Sequence, residues 1–166
     1  KNGVETGIWV RSEDKLETML RKRENPKYLP DINLPSQLGI SNDIDETIKN
    51  SSIVVLAVPT HSVRGLLGQL EGKINKSQVI VNVAKGIENM SMKRISEIVT
   101  EYFPENDFVA LSGPSHAEEV ALDIPTTVVS ASRNKEVAEY IQDVFSCSTF
   151  RVYTNPDVVG VELGGA

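Results

Sequence analysis

The sequence predicts an α/β domain built on one open, mostly parallel sheet. Three observations lead there. Apolar runs of strand length alternate with longer segments of helical period along the whole chain. Several of those runs are rich in Val and Ile with no polar alternation, the pattern of parallel strands covered on both faces. Strand–helix alternation of this kind favours a sheet with right-handed crossovers. With 166 residues the chain is long enough for one domain with a sizeable core.

The elements follow in order. "GIWVR" (7–11) reads as the first strand, and 12–24 has helical period. "RENPKYLPDINLPSQ" (23–37) contains three prolines and no clear period, so an ordered surface loop is expected. Asn42 is placed to cap a helix over 43–50. "SIVVLAV" (52–58) is a buried strand, and Ser62 is expected to cap a helix over 62–72. "QVIVNVA" (78–84), a helix over 91–103, "DFVALS" (107–112) and a helix over 115–123 come next. "TTVVSAS" (126–132) precedes a helix over 134–146 with Asn134 at its cap, and "FRVY" (150–153) is the last strand. In "TNPD", Asn155 suits a cap and Pro156 a first helical turn, where a missing N–H costs nothing.

The net charge of −6 argues against a general nucleic-acid surface, so a bound anion must be held by local donors. A single cysteine, Cys147, rules out an internal disulfide framework and suits a reducing cytosol. No apolar run reaches membrane-spanning length, and the pattern predicts a cytoplasmic protein. The chain opens on Lys1 and stops at "VELGGA", so both ends are expected to be cut from a longer protein.

Ligands of open α/β sheets sit beyond the carboxyl ends of the strands, which directs attention to four places. After the first strand, Arg11 and Ser12 stand where NAD-binding folds commonly carry an acidic residue for the ribose. A guanidinium and a hydroxyl suit a 2′-phosphate and favour NADP over NAD; a surface arginine ending a strand is the plainer alternative. After the second, "AVPTHSVR" (57–64) offers Pro59 and His61, the latter as readily a solvated loop histidine. After the third, Lys85 and Gly86 let an ammonium reach into the crevice while glycine turns the backbone away. After the fourth, "GPSHAEE" (113–119) joins strand to helix. Free N–H groups there favour an anion, Gly113 permits close backbone approach, and Ser115 with Glu118 has the spacing of a capping box. No part of this reading requires a metal.

"GPSHA" also lies one residue from the G-x-S-x-G nucleophile elbow, which keeps a serine hydrolase using Ser115 as a rival. Its weakness is the base. His116 is adjacent and diverges from Ser115 at a helix start, and His61 precedes the serine in the chain. A nucleotide-binding module without catalysis is the third reading.

Taken together, "WVRS", "NPKYLPDINLP", "VVLAVPTHSVR", "NVAKGIE", "LSGPSHAEEVA" and "FRVYTNPDVVGVELGGA" make the chain resemble a known family. It resembles the N-terminal domain of bacterial NAD(P)-dependent glycerol-3-phosphate dehydrogenase over nearly its whole length. The resemblance implies a Rossmann-like, doubly wound domain over 1–154 lacking its first strand and its G-x-G-x-W-G turn. Residues 155–166 would begin the helix that leads to an all-helical C-terminal domain. The family continues past "ELGGA" with Leu-Lys-Asn, whose lysine is its proposed proton acceptor.

The implied reaction interconverts dihydroxyacetone phosphate and sn-glycerol 3-phosphate for glycerophospholipid synthesis, with NADP or NAD as cofactor. By the same resemblance Lys85 meets substrate and cofactor, while Gly113 and Ser115 meet substrate. Ala117 packs on the cofactor, and Arg11, Ser12 and Tyr28 hold its adenosine end. The implied partners are a small phosphate substrate and, in the intact protein, a second subunit of a homodimer. The isolated piece, without its phosphate turn and proton acceptor, is expected to be inactive.

Overall fold

The apolar runs do form strands, and the one at Val79–Asn82 sets the plan, because all four of its residues are buried. A computed structural model describes residues 2–166. In chain order the elements are β1 (Gly7–Trp9), α1 (Glu13–Lys22), β2 (Glu24–Asn25), β3 (Leu29–Asn33), β4 (Gly39–Ser41), α2 (Ile44–Lys49), β5 (Ile53–Leu56) and α3 (Thr60–Leu70). They continue with β6 (Val79–Asn82), α4 (Ile95–Tyr102), β7 (Phe108–Ser112), α5 (Ala117–Ala121), β8 (Thr126–Ala131), α6 (Lys135–Phe145), β9 (Phe150–Asn155) and α7 (Val158–Gly164).

The main sheet has the order β5-β6-β7-β8-β9. Its pairings are parallel except for β7 against β8, which is antiparallel. Successive side chains of β6 divide between two cores, as the two-residue period of a strand demands. Ile80 joins Leu56, Val63, Leu67, Ile98 and Val99 under α3 and α4. Val79 and Val81 join Val109, Val128, Ile141 and Val152 on the face covered by α6. Helices on both faces explain the unbroken apolar runs in the sequence.

Strand β1 pairs in parallel with β4 as a separate two-stranded sheet, and β2 pairs with β3 as a short antiparallel hairpin. Helix α2 ties the small sheet to the large one. It packs on β1 and β4, while its buried Ile48 sits in the core with Val54 and Leu56. Gln78 secures that joint by donating from Nε2 to the carbonyls of Ile48 and Ser51, each at 2.8 Å.

Several local expectations need correction. The proline-rich stretch is not all loop, for the β2–β3 hairpin lies inside it, with Asp31 at φ 62. Strand β4 was not foreseen. Asp43, not Asn42, caps α2, its carboxylate accepting from the amides of Asp45 and Glu46. Helix α3 begins at Thr60 behind Pro59, so Ser62 lies inside it. Asp157 caps α7 by accepting from the Gly160 amide, while Asn155 accepts from the Asp157 amide just outside. Asn134 does cap α6, accepting from the Glu136 amide. Among the described residues, no helix is long and apolar enough to cross a membrane.

Candidate functional site

The carboxyl ends of β6 and β7 lie side by side, and a crevice opens beyond them. Beyond β6 the chain turns on Asn82, whose buried side chain donates to the Ala84 carbonyl and accepts from the Ala84 amide. Lys85 follows, then Gly86 at φ +104, a conformation that side chains disfavour. The Thr60 hydroxyl, at the start of α3, donates to the Lys85 carbonyl at 2.5 Å. Lys85 thus leaves the sheet with its backbone held from below.

Its side chain spans the crevice. Lys85 Nζ donates to the carbonyls of Gly113 at 2.9 Å and Ser115 at 3.2 Å. The Gly113 carbonyl also accepts the Ser115 amide at 2.8 Å. Glycine is required at 113 because β8 passes so close. A Cβ there would lie 2.7 Å from the Thr127 carbonyl oxygen and 2.9 Å from Val128 Cα.

Beside Lys85 and Gly86 an open pocket of about 330 Å³ is lined by Thr60, His61, Asn89 and Ala166. A narrower cleft on the other side of the same two residues reaches Ser112, Glu162 and Gly165. Helix α7 closes that side: a Cβ at Gly165 would overlap the Ser112 hydroxyl at 2.2 Å. Glu162, on the same helix, is buried. It accepts from Arg94 Nη1 at 2.9 Å, the Ser96 amide at 2.8 Å and the Ser96 hydroxyl at 2.5 Å.

Ser115 departs from its expected role. Helix α5 starts at Ala117, has five residues and no side-chain cap, with His116 at the cap position. The Ser115 hydroxyl donates instead to the Gly113 carbonyl at 3.4 Å. The expected capping box is therefore absent here, because the helix begins two residues late. Nor does a histidine hold that hydroxyl, as a nucleophile would require.

A second group of sequence-selected residues gathers where β1 ends. Ser12 caps α1, accepting from the Lys15 amide at 3.4 Å, and Arg11 is exposed beside it. Tyr28, in the β2–β3 turn, lies under the ammonium groups of Lys15 and Lys27, 4.5 and 5.2 Å from its ring. The charge of Lys15, then that of Lys27, pulls the Tyr28 hydroxyl below its usual pKa. Helix α5, which carries Ala117, packs against β3, so the hairpin leans on the crevice wall. A cationic end near Tyr28 and a single ammonium at the strand ends together suit an elongated anionic ligand such as a dinucleotide.

Thr60, Arg64, Glu88 and Glu162 were not selected from the sequence. Arg64 on α3 forks onto Glu88, with Nε at 2.8 Å and Nη2 at 2.9 Å, and its Nη1 reaches Glu101. Ser91 donates to Glu88, and Lys93 pairs with Glu101 at 2.5 Å. The Arg64 bonds, then Ser91, hold the Glu88 carboxyl down to about 2; Arg64, then Lys93, do the same for Glu101. The two carboxylates push the Arg64 pKa further up. Partners 24 and 37 residues apart leave no local signature in the sequence.

Residues 1–138 match the family described as the NAD-dependent glycerol-3-phosphate dehydrogenase N-terminus. A glycerol-3-phosphate dehydrogenase (NAD(P)+) from Halothermothrix orenii is 50% identical over 165 residues, 99% of this chain and 48% of the relative. The enzyme of that name from Thermoanaerobacter sp. is 47% identical over 164 residues, covering 99% of this chain and 49% of its own. The crystal structure of glycerol-3-phosphate dehydrogenase from Coxiella burnetii superposes with a TM-score of 0.92 at 28% identity, over 98% of this chain and 50% of that one. The chain therefore spans about half the length of the relatives it matches.

Proposed function

The chain belongs to the family of NAD-dependent glycerol-3-phosphate dehydrogenase N-terminal domains, and on that premise we propose that its parent protein interconverts dihydroxyacetone phosphate and sn-glycerol 3-phosphate. In the reducing direction C2 of the ketone gains a hydride, which a bound NAD(P)H would supply, and its oxygen gains a proton. The bound dinucleotide supplies the hydride chemistry, and the protein supplies alignment and charge.

The observation that carries this reading is the Lys85 ammonium facing Gly113 and Ser115 across the crevice at the ends of β6 and β7. With two N–H groups on carbonyls, its third remains for a ligand oxygen. As the substrate carbonyl gains negative charge, the ammonium stabilises it, most strongly where water is kept out. Gly113 offers backbone and Ser115 its hydroxyl to the substrate, while Ala117 keeps the crevice wall low for the cofactor.

At the other end, Arg11 and Ser12 take the adenosine ribose and its 2′-phosphate, with Tyr28 beside them. This supports a preference for NADP over NAD. The proton-accepting lysine belongs to the Leu-Lys-Asn continuation that the family carries after "ELGGA". On this reading residues 1–154 belong to the cofactor domain and 155–166 begin the helix that links it to the family's C-terminal domain. Supply of glycerol 3-phosphate for phospholipids, a cytoplasmic setting and a homodimer of the intact protein complete the proposal.

The test is an assay of the full-length parent. NADPH oxidation should depend on added dihydroxyacetone phosphate, and Lys85→Ala should lower kcat/KM roughly 100-fold or more, the scale of a lost charge-stabilising donor. No ketone-dependent oxidation would overturn the activity. Near wild-type turnover of the variant would overturn the role of Lys85. Running the assay with NADH as well reads the cofactor preference, and a lower KM for NADH would refute the assignment of Arg11.

A further inference from the structure

We propose that Glu88, gripped by Arg64, is the positioning residue of Lys85: the pair sets the shape of the loop from which the crevice ammonium projects. The proposal rests on the reading that Lys85 serves the dehydrogenase reaction.

The loop between β6 and α4 runs from Val83 to Arg94. A surface segment of that length moves freely unless something ties it down. Apolar packing does not do so in its outer half, where Met90 is 96% exposed and Met92 is 66% exposed. Polar bonds do, and they converge on Glu88. Its amide donates to the Lys93 carbonyl at 2.9 Å, and its carbonyl accepts the Met92 amide at 2.8 Å. Its carboxylate takes both Arg64 bonds and the Ser91 hydroxyl. The Glu88 side chain is only 14% exposed, so water competes weakly for it.

The geometry links this node to Lys85 in particular. Thr60 and Arg64 stand one turn apart on the same side of α3. Thr60 holds the carbonyl of Lys85 and Arg64 holds the carboxylate of Glu88, three residues on. Between the two anchor points lies Gly86 at φ +104. One rigid helix therefore pins both ends of a four-residue span, and with it the position of the Lys85 backbone. Five bonds separate Lys85 Cα from its ammonium, so a small shift at the base moves the charge off the Gly113 and Ser115 carbonyls. A bidentate fork resists rotation where a single contact would not.

Two measurements on the full-length protein test this. The first is trace labelling of ligand-free protein with acetic anhydride, read by mass spectrometry at each lysine. In Glu88→Gln and in Arg64→Lys, Lys85 should label roughly threefold faster or more as the loop opens locally, with Lys49 and Lys135 unchanged. The second is steady-state kinetics with dihydroxyacetone phosphate. Both variants should lose roughly 10- to 100-fold in kcat/KM, the cost of a misplaced reacting group, while NADPH affinity stays within about twofold of wild type. Lys85 labelling at the wild-type rate in both variants would overturn the proposal. So would faster labelling with kcat/KM unchanged. If every lysine labels faster, the variant has unfolded, and Glu88→Asp, which keeps the charge but shortens the fork, is judged by the same two readings. A wild-type protein that leaves dihydroxyacetone phosphate untouched would remove the proposed reaction, while the labelling would still judge the clamp.

Discussion

Gly113 shows how one residue serves fold and crevice together. Its missing side chain lets β8 pass against the end of β7, and its carbonyl is the shared acceptor for Lys85 and Ser115. A methyl at this position would meet backbone atoms on a paired strand, which cannot rotate away as a side chain would. Gly113→Ala should therefore destabilise the protein by about 1–3 kcal/mol, the usual cost of overpacking, read as a lower urea midpoint at unchanged slope. At this scale the sequence was informative wherever a residue stands at the end of an apolar strand. Lys85, Gly86 and Gly113 could be singled out because sheet ends are where ligands gather. Ser115 misled, since a capping pattern in the sequence cannot reveal that the helix starts two residues further on. Arg64 and Glu88 were illegible for a different reason. Each reads as an ordinary solvated charge until folding brings them within 2.8 Å.

Among the elements, α3 and α4 are joined at the surface by a charge network as well as by their shared core. Arg64 reaches Glu88 and Glu101, and Lys93 completes the set. In the folded protein these two carboxyls titrate near 2, against an ordinary value of 4.5 in the unfolded chain. The folded state thus binds fewer protons than the unfolded one between those values. Their contribution to stability is complete above about pH 4.5 and is lost as the pH falls toward 2. Urea unfolding followed across that window should show a falling midpoint, and Glu88→Gln should make the decline shallower. A decline of equal steepness in the variant would mean that other carboxylates carry it. The longer helices were legible because each repeats its apolar period several times, as the eleven residues of α6 do. Strand β4, of three residues, offers too few positions for any period to show. The β2–β3 hairpin was hidden by prolines that edge strands tolerate.

For the molecule as a whole, the alternation of strand and helix revealed the layered plan, but not the direction of every strand. The antiparallel joint between β7 and β8 follows from the short return through α5, and no composition cue marks it. Long-range polar ties were equally hidden. Glu162 on the last helix is one of them, reaching across 66 residues to the start of α4. Glu162→Ala would strip the Ser96 amide and hydroxyl of their acceptor and leave Arg94 with the Ser96 hydroxyl at 2.8 Å and a longer ionic contact with Glu97 at 3.3 Å. The expected loss is about 3 kcal/mol, the lower end for a broken buried pair, with amide exchange quickening first in α7. The reversal at β8 has one more consequence. Strand β8 runs away from the crevice, and the turn that follows it, anchored where Asn134 meets Asp107 ahead of β7, faces the opposite pole. That pole is remote from the crevice, and the exposed Arg133 there offers a handle where a dye or a tether could report on the protein without intruding on a bound ligand.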